Sequence, residues 1–95
     1  MFAVAGTWTM DDSMREEQLA ALPMLVAGVQ QNPGFLRGFW AEDVDDPSQS
    51  VTFIVFETID QAREFRQAVI QNAPAQTDAG VEQGALRIVE VRAEA

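Results

Sequence analysis

The stretch VTFIVFETIDQAREF, residues 51–65, decides the fold because a strand runs directly into the start of a helix. Val51–Glu57 is dominated by β-branched and aromatic residues, which predicts a strand. Thr58 and Gln61 then have the spacing of a capping box, in which each side chain bonds the backbone N–H of the other residue. One apolar stripe of a second helix follows, and Pro74 predicts its end; the stripe holds Ala62, Phe65, Val69 and Ala73.

Upstream of this stretch, Phe35–Glu42 predicts the partner strand of a β-hairpin, joined through the polar connection 43–50. Asn32-Pro33-Gly34 precedes that strand and predicts the end of a first helix. Alternation along an ideal strand places Phe35 and Phe39 on one face, which we expect to be the core face.

Phe2–Met10 predicts the first strand, because it is short, apolar and rich in Val, Thr and Trp. Ser13 with Glu16 repeats the capping-box spacing at the start of the first helix. Pro23 lies inside the helical pattern and predicts either a kink or a break. Beyond the second helix, the sequence predicts a loop over residues 75–84 and a last strand over Leu86–Arg92.

The predicted order β-α-β-β-α-β is that of an α+β, ferredoxin-like domain covering residues 1–95. Right-handed crossovers place both helices on one face of a four-stranded antiparallel sheet. The other face is also apolar, since Phe53 and Ile54 point to opposite sides of one strand, and no remaining segment is expected to cover it. We therefore predict a homodimer in which two sheets pack face to face as a dimeric α+β barrel.

Composition excludes several classes of function. Six basic residues stand against fifteen acidic ones, giving a net charge of −9, which disfavours nucleic acid and anionic membrane surfaces as partners. Cysteine, histidine, tyrosine and lysine are absent, which removes thiolate and Schiff-base chemistry, a neutral-pH imidazole base and zinc sites of the usual kind. No secretory signal is evident and the longest apolar run, residues 19–29, is too short to span a bilayer, so we expect a cytoplasmic protein.

The chain resembles the antibiotic biosynthesis monooxygenase-like family of the dimeric α+β barrel superfamily. The residues that carry the resemblance are the turn Asn32-Pro33-Gly34-Phe35 and the run Phe53–Thr58 leading into Asp60–Phe65. The resemblance implies a cofactor-free monooxygenase, in which the bound phenolic substrate itself activates oxygen.

A second branch of the superfamily degrades haem, and the resemblance to it is incomplete. By rough alignment that branch has an Asn where this chain has Thr7, a Trp where it has Phe65, and an iron-ligating His near Pro74. Because the chain contains no histidine, haem ligation in that manner is excluded. No metal site and no cofactor are therefore predicted.

Five residues are candidates for ligand binding, with ordinary structural roles as alternatives. Arg37 either anchors an anionic ligand, pairs with a carboxylate such as Glu57 or Glu90, or extends from the sheet edge into solvent. The other candidates either line a ligand pocket or simply fill the core or the dimer interface; they are Thr7, Trp8, Trp40 and Phe65.

Three further features complete the predictions. Met14 and Met24 join Phe65 on the inner helix faces, where soft side chains either shape a pocket or fill the core. The acidic residues of 42–46 are expected to form a solvated loop. The resulting hypotheses are a cofactor-independent monooxygenase acting on a small aromatic or polyketide-like molecule, or a non-catalytic dimeric ligand-binding or accessory domain. No catalytic residue is identified.

Overall fold

A computed structural model describes residues 1–95, and its four strands form one antiparallel sheet in the order β2-β3-β1-β4. Helices pack on one face of this sheet, so the predicted ferredoxin-like βαββαβ arrangement is confirmed. No helix combines the length and the apolar character needed to cross a membrane. The elements in chain order are β1 (Phe2–Met10), a 3₁₀ turn (Asp12–Met14), α1 (Arg15–Gln30), β2 (Phe35–Glu42), β3 (Gln49–Phe56), α2 (Ile59–Gln71), α3 (Ala73–Asp78) and β4 (Val81–Glu90).

The capping box at the start of α2 is confirmed. Thr58 Oγ1 accepts from the Gln61 backbone N–H at 3.2 Å, and Gln61 Oε1 accepts from the Thr58 backbone N–H at 3.1 Å. Such a cap stabilises a helix by about 1 kcal/mol. The turn before β2 docks on the same point: Gly34 has φ +78° and a Cβ there would collide with the Gln61 side chain. The two stretches that carry the family resemblance therefore meet in space.

The predicted capping box of Ser13 and Glu16 is wrong. Asp11 caps this end instead, because its Oδ1 accepts from both the backbone N–H and the hydroxyl of Ser13, at 2.9 and 2.7 Å. The Ser13 hydroxyl donates to Asp11 and does not cap α1. The chain passes through the 3₁₀ turn before α1 begins at Arg15. Pro23 neither ends nor divides α1, which continues to Gln30.

The prediction of a loop over residues 75–84 is also wrong. Pro74 lies in the first turn of α3. A backbone N–H at this position makes no intrahelical hydrogen bond, so the proline is compatible with the start of a third helix. Gly80 then turns the chain with φ +76°, and β4 begins at Val81, five residues before the predicted start.

A β-bulge in β2 overturns the predicted face of Phe35. Phe35 pairs with Phe56, but the next register pair is Arg37 with Val55, so Leu36 is an extra residue between them. Phe35 therefore packs on the helix side, edge-to-face against Phe56 at a centroid distance of 6.4 Å. Phe39 lies on the opposite face and is 58% exposed, so the two phenylalanines do not share a core face.

The core lies between the sheet and the adjoining ends of α1 and α2. Val4, Ile54 and Phe56 of the sheet are buried against Val29 and Ala62 of the two helices. Full burial of a side chain such as Phe56 contributes roughly 1.5–3 kcal/mol. Val29 is the one buried residue of α1, which therefore touches the core only near its C-terminal end.

The open face of the sheet is partly covered by the chain itself, contrary to expectation. The backbone N–H of Val91 donates to Met1 at 3.0 Å, and Glu94 forms an ion pair with Arg37 at 3.2 Å. Since β4 and β2 are opposite edges of the sheet, residues 91–95 cross this face. Ala3 and Val55 are buried there, while Phe39 and Val51 farther along remain exposed.

Candidate functional site

A cavity of about 740 Å³ lies between the sheet and the three helices. Ligand sites commonly occupy roughly 300–1,000 Å³. Eighteen of the 27 residues around it are hydrophobic, which favours an apolar occupant over a charged one. The cavity exists because α1 stands away from the sheet: Leu19 and Leu25 line it and are still 48% and 50% exposed.

Two tryptophans form the floor of the cavity, each lying over a glycine of its own strand. A Cβ at Gly6 would stand 3.0 Å from Trp8 Nε1, and a Cβ at Gly38 would stand 2.9 Å from Trp40 Cζ3. Both indoles thus occupy space that a side chain two residues earlier would fill. At these two positions the sheet side of the cavity is therefore aromatic, with both rings close to the strand backbone.

Thr52 lies between the two tryptophans. It pairs with Gly6 of β1 on one side and with Trp40 of β2 on the other. Trp8 Nε1 donates a hydrogen bond of 2.9 Å to Thr52 Oγ1, which fixes the orientation of the indole on the floor. Ser50 precedes Thr52 on the same face of β3 and also lines the cavity.

An ion pair lies at the rim of the cavity. Arg15 at the start of α1 bonds Glu42 at the end of β2 in a bidentate manner, at 2.9 and 2.7 Å. Both side chains are about two-fifths exposed, at 40% and 42%. The hydrogen bonds from Arg15 hold the pKa of the Glu42 carboxyl below its ordinary value of 4.5. These are the only charged residues around the cavity, so its net charge is zero.

Glutamines hold the walls in place. Gln18 Nε2 of α1 lies within hydrogen-bonding distance of the carbonyls of Asp11, Ala79 and Gly80, at 3.1–3.3 Å, which ties α1 to the turn before β4. Gln83 Nε2 donates to Gln76 Oε1 at 2.6 Å and to the Val69 carbonyl at 3.0 Å, which joins β4, α3 and α2. The walls are therefore fixed by amides that carry no charge.

Three of the five predicted ligand-binding residues meet at this cavity: Trp8, Trp40 and Phe65. Arg37 does not, because it follows the bulge in β2 on the open face, where it pairs with Glu94 instead of the expected Glu57 or Glu90. Arg37 is thus not an anchor for a ligand in this cavity.

Thr7 also lies away from the cavity, on the exposed face of β1. Its Oγ1 accepts from the Ala85 backbone N–H at 2.9 Å, across the irregularity where the register with β4 shifts between Gly6 and Trp8. Met14 and Met24 do not line the cavity either; Met14 contacts the Gly80 turn, and Met24 is 83% exposed on the outside of α1.

Sequence reasoning identified both tryptophans of the floor, but it missed the glycines beneath them, Thr52, and the ion pair at the rim. The signal for the floor is a repeated Gly-x-Trp pattern, Gly6-Thr7-Trp8 and Gly38-Phe39-Trp40, on two strands of one sheet. Thr52 and the pair of Arg15 and Glu42 carry no such signal, because their partners are 27 or more residues away in sequence.

Comparison with solved structures places the fold. A candidate antibiotic biosynthesis monooxygenase from Nitrosomonas europaea superposes with a TM-score of 0.76 at 16% identity, covering 98% of this chain and 100% of that one. SnoaB, a cofactor-independent oxygenase from Streptomyces nogalater, gives 0.71 at 18% identity, covering 98% and 94%. MhuD, a haem-degrader from Mycobacterium tuberculosis with two haems in its active site, gives 0.76 at 13% identity, covering 100% and 99%.

No protein-family model and no curated protein sequence matches the chain. TM-scores of 0.71–0.76 over nearly the whole chain show a shared fold, and the predicted resemblance to antibiotic biosynthesis monooxygenase-like proteins is confirmed at that level.

Haem does not fit the residues of this cavity. No histidine, cysteine or tyrosine exists to ligate the iron in the common manner. The one cation at the rim, Arg15, is paired with Glu42 in a bidentate manner, so a haem carboxylate would have to compete with Glu42 for it. No group of three His, Cys, Asp or Glu residues with metal-binding geometry is present in the fold.

The rim ion pair predicts a pH-dependent contact. Because Arg15 lowers the pKa of Glu42, the ion pair contributes its full stabilisation of the fold above pH 4.5, the ordinary pKa of the carboxyl. This stabilisation is lost as the pH falls through the lower pKa of Glu42 in the folded state. In a carboxyl-carbon NMR titration, we expect Arg15→Gln to move the Glu42 midpoint upward towards 4.5. Arg63→Gln, which touches neither residue, should leave it in place. Equal midpoints in the wild type and Arg15→Gln would contradict the ion pair.

Proposed function

We propose that this protein binds a small, planar aromatic or polyketide-like molecule in the cavity between helices and sheet, and oxygenates it without a cofactor. The observation that carries the proposal is the cavity itself, with Trp8 and Trp40 on its floor and about 740 Å³ of largely apolar space. The fold shared with SnoaB, a cofactor-independent oxygenase, supports the reaction class.

Aromatic walls support a flat ligand. Trp8 and Trp40 lie over their glycines on the sheet, and Phe65 approaches from α2 while packing on Phe56 at a centroid distance of 5.1 Å. Planar rings gain favourable stacking against such side chains in addition to the burial of apolar area. The role of these three residues is to bind the substrate and to exclude water from it.

The chain supplies no acid or base suited to neutral pH within the cavity. Its one carboxylate, Glu42, is held by Arg15 with a lowered pKa, which makes it a weak base. The reaction proposed is therefore one that the substrate drives. A ring methylene conjugated with a ring carbonyl through the fused aromatic rings, as in anthrone, loses two hydrogens and four electrons to O₂; one oxygen atom becomes the new carbonyl, and the other leaves as water.

A second candidate function is ligand binding without turnover. The same lack of a free ionisable group in the cavity favours it, since apolar and amide side chains bind a molecule without moving a proton. Both candidates use one cavity, and a measurement of oxygen uptake separates them.

We expect the protein to accelerate oxygen consumption by anthrone at pH 7 above the uncatalysed rate, as measured with an oxygen electrode. Ala68→Phe should reduce the acceleration at least about tenfold, because Ala68 lines the cavity and a phenyl group fills part of it. The matched control is Gln67→Phe, on the exposed side of the same helix, and Arg37→Ala is a second control on the open face of the sheet.

The outcomes separate the two candidates. If the protein binds anthrone without oxygen uptake, and Ala68→Phe weakens this binding, the non-catalytic function is selected. Equal loss in Ala68→Phe and Gln67→Phe would contradict both, since the cavity would then not be the site.

We further propose that the protein is a homodimer formed through the open faces of two sheets. Phe39 and Val51 are 58% and 50% exposed on this face, beyond the part that residues 91–95 cover. A sheet with an uncovered apolar face gains from a self-complementary two-fold partner. Burying this patch in a second copy would remove two exposed apolar side chains of that face from water.

Phe39→Glu should convert the dimer to a monomer at micromolar concentration in light scattering, because it buries a charge in the proposed interface. Val44→Glu serves as the control, since Val44 is 93% exposed in the loop between β2 and β3. A monomeric wild type at that concentration would rule the dimer out.

A further inference from the structure

The hydroxyl of Thr52, between the two tryptophans of the cavity floor, uses only half of its hydrogen-bonding capacity. A threonine hydroxyl has one proton to donate and can accept as well. Thr52 Oγ1 accepts from Trp8 Nε1 at 2.9 Å, but its own proton is donated to no group of the protein. Thr52 lines the cavity, so this proton is available to whatever occupies it.

The sheet register fixes where that donor stands. Thr52 pairs with Gly6 on one side, where the absent side chain lets the Trp8 indole reach across the strand, and with Trp40 on the other. A Cβ at Gly6 would lie 3.0 Å from both Trp8 Nε1 and Thr52 Oγ1, so the glycine is what permits the bond. The donor therefore stands in the middle of an aromatic floor.

Charge does not compete with this donor. The only charged side chains around the cavity are Arg15 and Glu42 at the rim, and they are bonded to each other at 2.7 and 2.9 Å. A ligand group that meets Thr52 thus meets a neutral donor in an apolar setting. Such a donor favours a neutral carbonyl oxygen, whose desolvation costs far less than that of a carboxylate.

We propose that Thr52 is the specificity-determining residue of the cavity and that it selects planar aromatic ligands bearing a ring carbonyl, whose oxygen accepts the Thr52 hydroxyl proton. Trp8 is a positioning residue in this arrangement: its indole N–H occupies a lone pair of Thr52 and turns the proton towards the ligand. The inference rests on the proposed function, because it assigns a substrate class to the same cavity.

The test compares two ligands with the same tricyclic skeleton, 9-fluorenone with a ring carbonyl and fluorene with a methylene in its place. Equilibrium dialysis against the full chain gives a Kd for each. Thr52→Val keeps the shape of the side chain and removes the donor. We expect it to lower the ratio of the fluorene Kd to the fluorenone Kd roughly 3- to 10-fold, the effect of one hydrogen bond.

Two other variants complete the design. Thr52→Ser restores a hydroxyl and should restore the wild-type ratio, whereas Thr9→Val, an exposed threonine of β1 outside the cavity, should not change it. Trp8→Phe should lower the ratio about twofold, since the hydroxyl is then free to rotate. If Thr52→Val does not fold, the test rests on Trp8→Phe. A ratio of the fluorene Kd to the fluorenone Kd equal to that of the wild type then overturns the proposal.

The proposal and the proposed function fail in different ways. If both ligands bind and Thr52→Val leaves the ratio unchanged, Thr52 does not select the carbonyl, while the aromatic cavity stands. If neither ligand binds the wild-type protein, the proposed function fails and this inference fails with it.

Discussion

The missing side chains at Gly6 and Gly38 are the constraint on which the cavity depends. Each glycine leaves room for the tryptophan two residues later to lie over the strand, with ring atoms about 3 Å from where a Cβ would stand. Larger residues at these positions would push both indoles upward into the space below α1. Because α1 touches the core only near Val29, the rest of this helix faces the cavity, and raised indoles would take up its volume. The two glycines thus connect the local sequence to the volume available for a ligand.

The chemistry of the cavity follows from what the chain lacks as much as from what it contains. With no histidine, tyrosine, cysteine or lysine, its polar groups are hydroxyls, amides and one internally neutralised ion pair. Such a set binds and orients a neutral molecule and leaves proton and electron transfer to the molecule itself. This is the physical reason that a substrate-driven oxygenation and simple binding remain the two candidates for one site.

The sequence predicted elements that depend on local patterns. The strand–cap–helix stretch 51–65 and the extent of β1 and β2 were readable because hydrophobic alternation and the Thr58–Gln61 spacing act within a few residues. The face on which Arg37 lies was not readable, since the extra residue at Leu36 moves Phe35 to the face opposite Arg37. Pro74 misled for a similar reason: a proline ends a helix in its interior and suits its first turn, and the spacing alone does not distinguish them.

A flat aromatic molecule that enters the cavity should lie against its floor. The chain has two tryptophans, both on that floor, so a ¹H–¹⁵N correlation spectrum contains two indole N–H signals that report on the site directly. On titration with 9-fluorenone, both indole signals should shift in a saturable manner while the side-chain N–H of Arg37, on the open face, stays in place. Saturable shifts at Arg37 with unchanged indole signals would contradict this placement of the ligand.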